Sequence, residues 1–441
     1  MLLRLKIKNF LSFYEEVSFD MFPNLKRTTF QNHIYNEYDV PILKQAAIYG
    51  ANGSGKSNFV DALRVIQDIV TTKDTLKKSP ISLNKFRLKS VENYEPTVFS
   101  IEFFHKKNYF IYNIEIDTEK ILKEELFLSG IGKRDNELIF RRDGNRLVSK
   151  YANTNGEIKS AANKFLKENP LTSLFILTEN FPFFKNNRLI IIAKEWFANQ
   201  LKILSLRRII PELIEMLSAN EDMLDYTNKI FQTIGVGVKN IVVLEKKVND
   251  ILSEKNEENK ELKKNIIENL EQIGNYSQFN DEKILMSFEK NEEDELIVKS
   301  LMFKHIGLSN FEKYMEINSQ SDGTTKILNL IPAFYELEKR PMTIIVDEIE
   351  NSIHPLLMIK LIKSFSDAKT RGQLIYTTHQ TELLNQQELM RPDEVWFTEK
   401  HNGQTKLYSL NDFKEHNTIN IKNGYLDGRY GAIPFFGNLN E

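Results

Sequence analysis

Residues 50–57 read Gly-Ala-Asn-Gly-Ser-Gly-Lys-Ser, directly after the apolar run 45–49. A glycine, four residues and then Gly-Lys-Ser is the pattern that cradles phosphate, provided a strand precedes it and a helix follows. Bare backbone folds into a nest of N–H groups, and the helix start adds favourable partial charge. Lys56 is then expected to reach the β- and γ-phosphates of a nucleotide, with the Ser57 hydroxyl at a Mg²⁺ site. Gly50, Asn52, Gly53, Ser54, Gly55 and Asn58 complete the expected cradle.

Three further groups carry chemistry. An apolar strand over 342–346 ends in Asp347 and Glu348. The first is placed to hold a Mg²⁺ water shell and the second to polarise an attacking water as general base. A second apolar strand, 373–377, runs into Thr378 and His379, where parallel sheets bind ligands. His379 is expected to sense a γ-phosphate, against the plainer reading as a helix cap. Ser321-Asp322-Gly323 opens a helix and offers a second anion-binding terminus. One nucleotide does not need two such termini in one chain, so Ser321 and Gly323 are expected to serve the nucleotide of another subunit. By itself the triplet is also an ordinary N-cap.

The elements that must position these residues follow from periodicity. Residues 2–20 alternate apolar and polar side chains, as half-buried strands do. Helical spacing over 58–70 (Phe59, Leu63, Ile66, Ile69, Val70) follows the loop, and 97–141 reads as an antiparallel meander. The pattern turns helical from 170 to 241, and 246–273 reads as a solvated helical arm of at most about 40 Å. Strands resume near 283–304. A helix at 324–337, the acid-ended strand, a helix at 356–366, the histidine strand and a helix at 380–386 imply parallel strands with helical crossovers. The expected fold is α/β, with an N-terminal lobe over 1–169, a helical insertion over 170–300 and a C-terminal lobe over 301–441.

Composition narrows the class. The chain has 441 residues, 41% hydrophobic and 27% charged, with a net charge of −2 and no cysteine. Such a balance speaks against nucleic-acid binding through overall charge; a local basic groove stays open, but its candidates, Lys133, Arg134, Lys202, Arg207 and Arg208, are scattered and form no stripe. Disulfides and cysteine-ligated metals are excluded. No apolar run approaches a membrane span and the N-terminus lacks a signal-peptide core, so a cytoplasmic location is expected.

The phosphate loop with its Ser57-Asn58 end, the Ser-x-Gly signature, the Asp-Glu strand end and the histidine, in that order, resemble ABC-type ATPase heads. KIKNFLSF (6–13) looks like the N-termini of SMC and RecF relatives. DEIENSIHP, TTHQTELL, RPDEVWFTEK and the tail GYLDGRYGAIPFF are similar to bacterial stand-alone ATPases of the AAA/OLD-like group. That group is often encoded in anti-phage or abortive-infection operons beside a nuclease or other effector. The resemblance covers roughly 1–130 and 300–441. It implies ATP and Mg²⁺ as ligands, Lys56 and Ser57 on phosphate and metal, Asp347 on the metal, Glu348 on water and His379 as switch. It further implies Ser321 and Gly323 acting in trans across a head-to-head homodimer that controls a separate effector.

The sequence departs from transporter heads at the signature, where Gln320-Ser321-Asp322-Gly323-Thr324 stands for Leu-Ser-Gly-Gly-Gln. No glutamine loop can be placed, 84–88 being the nearest candidate. A RecF-like DNA-processing ATPase is the alternative. An OLD-type nuclease is set aside because only about sixty residues follow His379, short of a domain of ~100 residues. The tail over 424–437 is expected to lie across the sheet with glycines at left-handed positions, a partner surface being the other reading.

Overall fold

The computed structural model of the protein describes residues 1–72, 84–89, 94–148, 156–180, 187–205, 212–251, 257–273, 276–280, 284–384, 389–413 and 420–433. The chain opens with β1 (Leu2–Lys8) and β2 (Val17–Asp20), whose buried positions alternate along most of their length. β3 (Gln45–Tyr49) is buried at every residue and feeds the phosphate loop. Helix α1 (Lys56–Thr71) follows and buries Phe59, Leu63, Ile66, Ile69 and Val70, the stripe its spacing predicts. Then come β4 (Thr97–His105), β5 (Asn108–Ile116), β6 (Ile121–Leu128), β7 (Glu137–Asp143) and β8 (Arg146–Val148). These five join β1 and β2 in a seven-stranded antiparallel sheet of order β8-β7-β6-β5-β4-β1-β2.

β9 (Leu201–Ser205) precedes a second group: α2 (Glu221–Ile234), β10 (Val238–Lys247), α3 (Glu257–Ile273), β11 (Tyr276–Asn280), β12 (Ile284–Lys290), β13 (Leu296–Ile306) and β14 (Glu312–Glu316). The last third holds α4 (Asp322–Lys339), β15 (Thr343–Asp347), α5 (Pro355–Asp367), β16 (Gln373–Thr377), β17 (Val395–His401), β18 (Gln404–Ser409) and α6 (Ile421–Leu426). A six-stranded sheet runs β9-β15-β16-β3-β17-β18. Its first five strands are parallel and β18 returns as a hairpin. β3 and β16 are buried throughout, and β15 is buried except at Asp347, as strands covered on both faces must be.

Two compact units result. The first gathers Met1–Ser205, Leu337–Ile349 and Ile359–Glu441, and the second Leu206–Glu336 and Glu350–Met358. In the first, one apolar core draws on both sheets and α1. Phe19 meets Phe59 edge-on at 5.0 Å, and Phe103 stacks on Trp196 at 4.4 Å. In the second, β10, β13, β12 and β11 form an antiparallel sheet, with β14 paired to β13. Ile266 and Leu270 of α3 pack there with Val248, Phe288 and Val298. Among the described residues no helix is long and apolar enough to cross a membrane.

The 170–300 segment is less helical than its pattern predicts. Residues 201–205 lie in the parallel sheet beside β15, and 238–247 form a ten-residue strand. A five-residue apolar run has no period of its own, so LKILS reads equally as helix or strand until its partner is known. The supposed solvated arm packs its apolar stripe onto a sheet instead of projecting it into water, though Leu262 stays 39% exposed. The units also divide differently from the expected 1–169, 170–300 and 301–441, because the signature at 321–323 belongs with the inserted sheet. Of the helix expected at 380–386, the described residues form a 3-10 turn, Thr381–Leu384, and 385 and 386 lie outside the described residues. There the Thr378 hydroxyl takes the Gln380 N–H at 2.9 Å, a local bond that competes with helix formation. Arg207, Arg208, Pro434, Phe435 and Phe436 lie outside the described residues.

Candidate nucleotide site

The parallel register brings three expected site segments to one edge. Thr377 pairs with Ile48, and Val346 pairs with Tyr376, so β3, β15 and β16 end together. The loop after Tyr49, the Asp347–Glu348 pair and the Thr378–His379 pair all leave that carboxyl edge, where open α/β sheets bind their ligands.

The loop is built on glycine geometry. Gly50 has φ 156°, and a Cβ there would run into the Thr398 carbonyl and hydroxyl. Gly55 has φ 114° and is hemmed in by Thr405. At Gly53, by contrast, a Cβ would meet no heavy atom within 4 Å, so that glycine faces open space. Ser54 is buried, its hydroxyl 2.7 Å from that of Thr398, while Thr405 donates to the Ser54 carbonyl at 2.7 Å. Thr398 also donates to the Tyr49 carbonyl at 3.2 Å. The β17–β18 hairpin therefore fixes the outer wall of the loop. Lys56 is 5% exposed and donates to the carbonyls of Gly50, at 2.8 Å, and Ala51, at 3.1 Å. Asn52 and Ser57 are exposed. Asn58 is half-buried and donates to the Ser12 hydroxyl at 2.6 Å.

At the strand end, Thr377 is the organising residue. Its hydroxyl donates to Asp347 Oδ1 at 2.6 Å and accepts the Glu348 N–H at 2.8 Å. The next N–H, of Ile349, goes to the Thr377 carbonyl at 3.1 Å. Glu348 is held at φ 52°, a left-handed conformation that costs an L residue roughly 1–2 kcal/mol. That turn takes its side chain off the strand direction. Asp347 and Glu348 are both half-buried, and His379 is exposed. Sequence reasoning passed over Thr377, Thr398 and Thr405. For Thr377 the signal was there, as the last residue of the strand before His379; for the other two only tertiary pairing could reveal it.

The signature lies in the second unit and is assembled there. Ser321 Oγ accepts the Thr324 N–H at 3.2 Å, the N-cap bond of α4. Gly323 lies against the segment after the acid pair, for a Cβ there would come within 2.7 Å of the Ser352 carbonyl. Lys326 ties the helix to that segment, donating to Asn351 Oδ1 at 2.8 Å and Ser352 Oγ at 2.9 Å. Ser352 itself has φ 59°.

Residues 84–88, Asn-Lys-Phe-Arg-Leu, hold no glutamine. Of these, Lys85, Phe86, Arg87 and Leu88 line a cavity of about 350 Å³ with Leu11, Ser12, Asn58 and Lys400. Among the described residues no cluster of three or more His, Cys, Asp or Glu is placed to hold a metal ion.

Among the solved structures similar to this chain are three of similar extent and low identity. An SMC head bound to the C-winged helix domain of ScpA is 14% identical, with a TM-score of 0.42, over 92% of this chain and 97% of that one. The SMC head domain from Thermotoga maritima is 11% identical, with a TM-score of 0.41, over 92% and 98%. An SMC head with an extended coiled coil, bound to the C-terminal domain of ScpA and derived from Pyrococcus furiosus, is 14% identical, with a TM-score of 0.40, over 97% and 98%. No curated protein matches. The sequence model of one family, AAA_21, described as "AAA domain, putative AbiEii toxin, Type IV TA system", matches residues 46–385. This span runs from the strand that feeds the phosphate loop past His379, and the chain belongs to that family of AAA-domain P-loop ATPases.

Proposed function

We propose that the protein binds and hydrolyses ATP at composite sites formed by two copies of the chain, and that closing and reopening this pair regulates a separate effector. The observation that carries the hydrolytic part is the Thr377 bridge, which presents Asp347 and Glu348 at the same sheet edge as the phosphate loop. Lys56 holds the β- and γ-phosphates, together with backbone N–H groups of 50–57. Ser57, Asn58 and the open face at Gly53 complete the cradle.

Mg²⁺ fits this donor set. It takes one or two protein oxygens and completes its shell with phosphate and water, so the Ser57 hydroxyl and the Asp347 carboxylate suffice without a dedicated cage. When bound, it neutralises charge developing on the phosphates. Glu348 acts as general base toward water, and His379, on the neighbouring strand end, hydrogen-bonds the γ-phosphate. Ser321 and Gly323 of a second copy close the site in trans. A phosphate-binding loop in one unit and a helix N-terminus in the other support this division of labour. The family description names a "putative AbiEii toxin" and a type IV toxin–antitoxin system; we extend it, as part of the proposal, to a place in phage defence with a nuclease-like effector as the controlled partner.

Glu348→Gln tests the reading, because it keeps the side chain's shape while removing its basicity. The variant is expected to bind ATP, fail to hydrolyse it and accumulate as an ATP-dependent dimer by light scattering. Lys56→Ala is expected to lose nucleotide binding. A Glu348→Gln protein whose mass is the same with and without ATP sinks the composite site, and a Lys56→Ala protein with full turnover sinks the ATPase assignment.

A further inference from the structure

The described part of the tail, 420–433, is fastened at two places that matter for the site just assigned. One fastening is on the turn after His379. Glu382 gathers Gln380 Nε2 at 2.6 Å and Thr381 Oγ1 at 3.4 Å on one carboxylate oxygen, and Lys422 Nζ at 3.3 Å on the other. Lys422 lies on α6. Leu383 and Leu384 of the same turn are buried.

The other fastening is behind the phosphate loop. The ring of Tyr425 lies nearly parallel to Phe397, at 5.5 Å and 11°, and meets Tyr49 edge-on at 6.1 Å. Tyr430 also lies nearly parallel to Phe397, at 5.8 Å and 13°. Tyr49 is the residue before Gly50, and Phe397 is the residue before Thr398, which bonds Ser54. The tail closes on itself through Tyr425 OH donating to the Ala432 carbonyl at 3.0 Å. It closes on the sheet through Tyr408 OH donating to the Tyr430 carbonyl at 2.7 Å and the Ala432 N–H donating to Glu399 at 3.3 Å. Gly431 has φ 65°, and a Cβ there would press on Glu399 and Tyr408, so the close approach requires glycine.

From these contacts we propose that 420–433 is a clamp that sets His379 relative to the phosphate loop, with Lys422 and Tyr425 as positioning residues. The proposal rests on the assignment of His379 and the loop to one nucleotide. Lys422 fixes the turn that follows the histidine. Tyr425, three residues on, fixes the strand ends that carry the loop. A six-residue helix between them is too short to bend, so a shift at one fastening reaches the other. Neither residue touches nucleotide in this scheme; both act through what they hold.

The test uses the full chain and Mg·ATP turnover. Lys422→Met is expected to lower kcat about tenfold with KM for ATP unchanged, a displaced group costing rate rather than ground-state binding. Lys422→Arg is expected to restore most of it. In a His379→Ala background, Lys422→Met is expected to add no further loss, which a merely structural role would not reproduce. Additive losses, or full kcat in Lys422→Met beside a slow His379→Ala, overturn the clamp and leave the ATPase reading standing. A His379→Ala protein as fast as the native one overturns the parent assignment instead, and with it the positioning role. Hydrogen exchange then reads the fastening on its own. Faster exchange at 378–384 in Lys422→Met upholds the mechanical link, and unchanged exchange removes it.

Discussion

The Thr377 hydroxyl lies 2.6 Å from Asp347 Oδ1, across two neighbouring parallel strands, and the Thr377 Oγ1 also receives the N–H of Glu348. One side chain thus orients the carboxylate assigned to Mg²⁺ and the backbone of the carboxylate assigned to water. Thr377→Val keeps the shape and removes the hydroxyl. Turnover is expected to fall about 100-fold, since small misplacements of catalytic groups are costly. Stability is expected to fall by about 1–2 kcal/mol, because two polar groups lose their partner. Thr377→Ser, which keeps the hydroxyl, is expected to stay within a few-fold of native kcat. Steady-state kinetics and thermal melts of both variants check this.

Glu348 is held in the left-handed region, where glycine fits more easily. Glu348→Gly is therefore expected to raise unfolding free energy by up to about 1 kcal/mol while abolishing turnover. Denaturant titration beside an ATPase assay gives the comparison with Glu348→Gln, which keeps the strain. Equal stability of the two variants would show that the turn costs nothing.

Gly323→Ala places a methyl against the Ser352 carbonyl, backbone that cannot swing aside as a side chain can. ATP-driven association is expected to weaken at least about tenfold, some 1.4 kcal/mol. Binding of ATP to a lone protomer, which depends on the loop around Lys56, is expected to remain. Light scattering and a fluorescent ATP analogue separate the two effects.

Glu382 carries a pH dependence. Burial pushes its carboxyl up, but its own backbone N–H and Lys422 outweigh this and hold it below the ordinary value of 4.5. A depressed folded value means the stabilisation is present above pH 4.5 and is lost as pH falls through the lower, folded value. The stability gap between the native protein and Glu382→Gln is thus expected to narrow on acidification from pH 4.5 downward. A gap that widens in that range reverses the sign and the argument.

Legibility in the sequence tracked locality. The strand, loop and helix at 45–71 were readable because glycine spacing and a 3.6-residue stripe are both local signals. The Asp347–Glu348 end and the His379 strand were readable as apolar runs punctuated by polar residues. What escaped was non-local. β9 is five residues that become a strand only beside β15. Thr398 and Thr405 reach the loop across more than 340 residues of sequence. The 246–273 segment was readable as helical, but what its Val248, Ile266 and Leu270 pack against was not, because periodicity names a face and leaves its neighbour unspecified.

The two carbonyls that take up the Lys56 ammonium have a bearing on selectivity. A cation that already gives two N–H bonds to its own loop attracts stray chloride or a lone phosphate less than a free ammonium does, since a newcomer competes with acceptors already in place. Polyphosphate compensates for that exchange with several oxygens at once. On the role proposed for Lys56, the resting loop is expected to be quiet toward ordinary salts and responsive to a chain of phosphates, a filter set by the lysine's own neighbours.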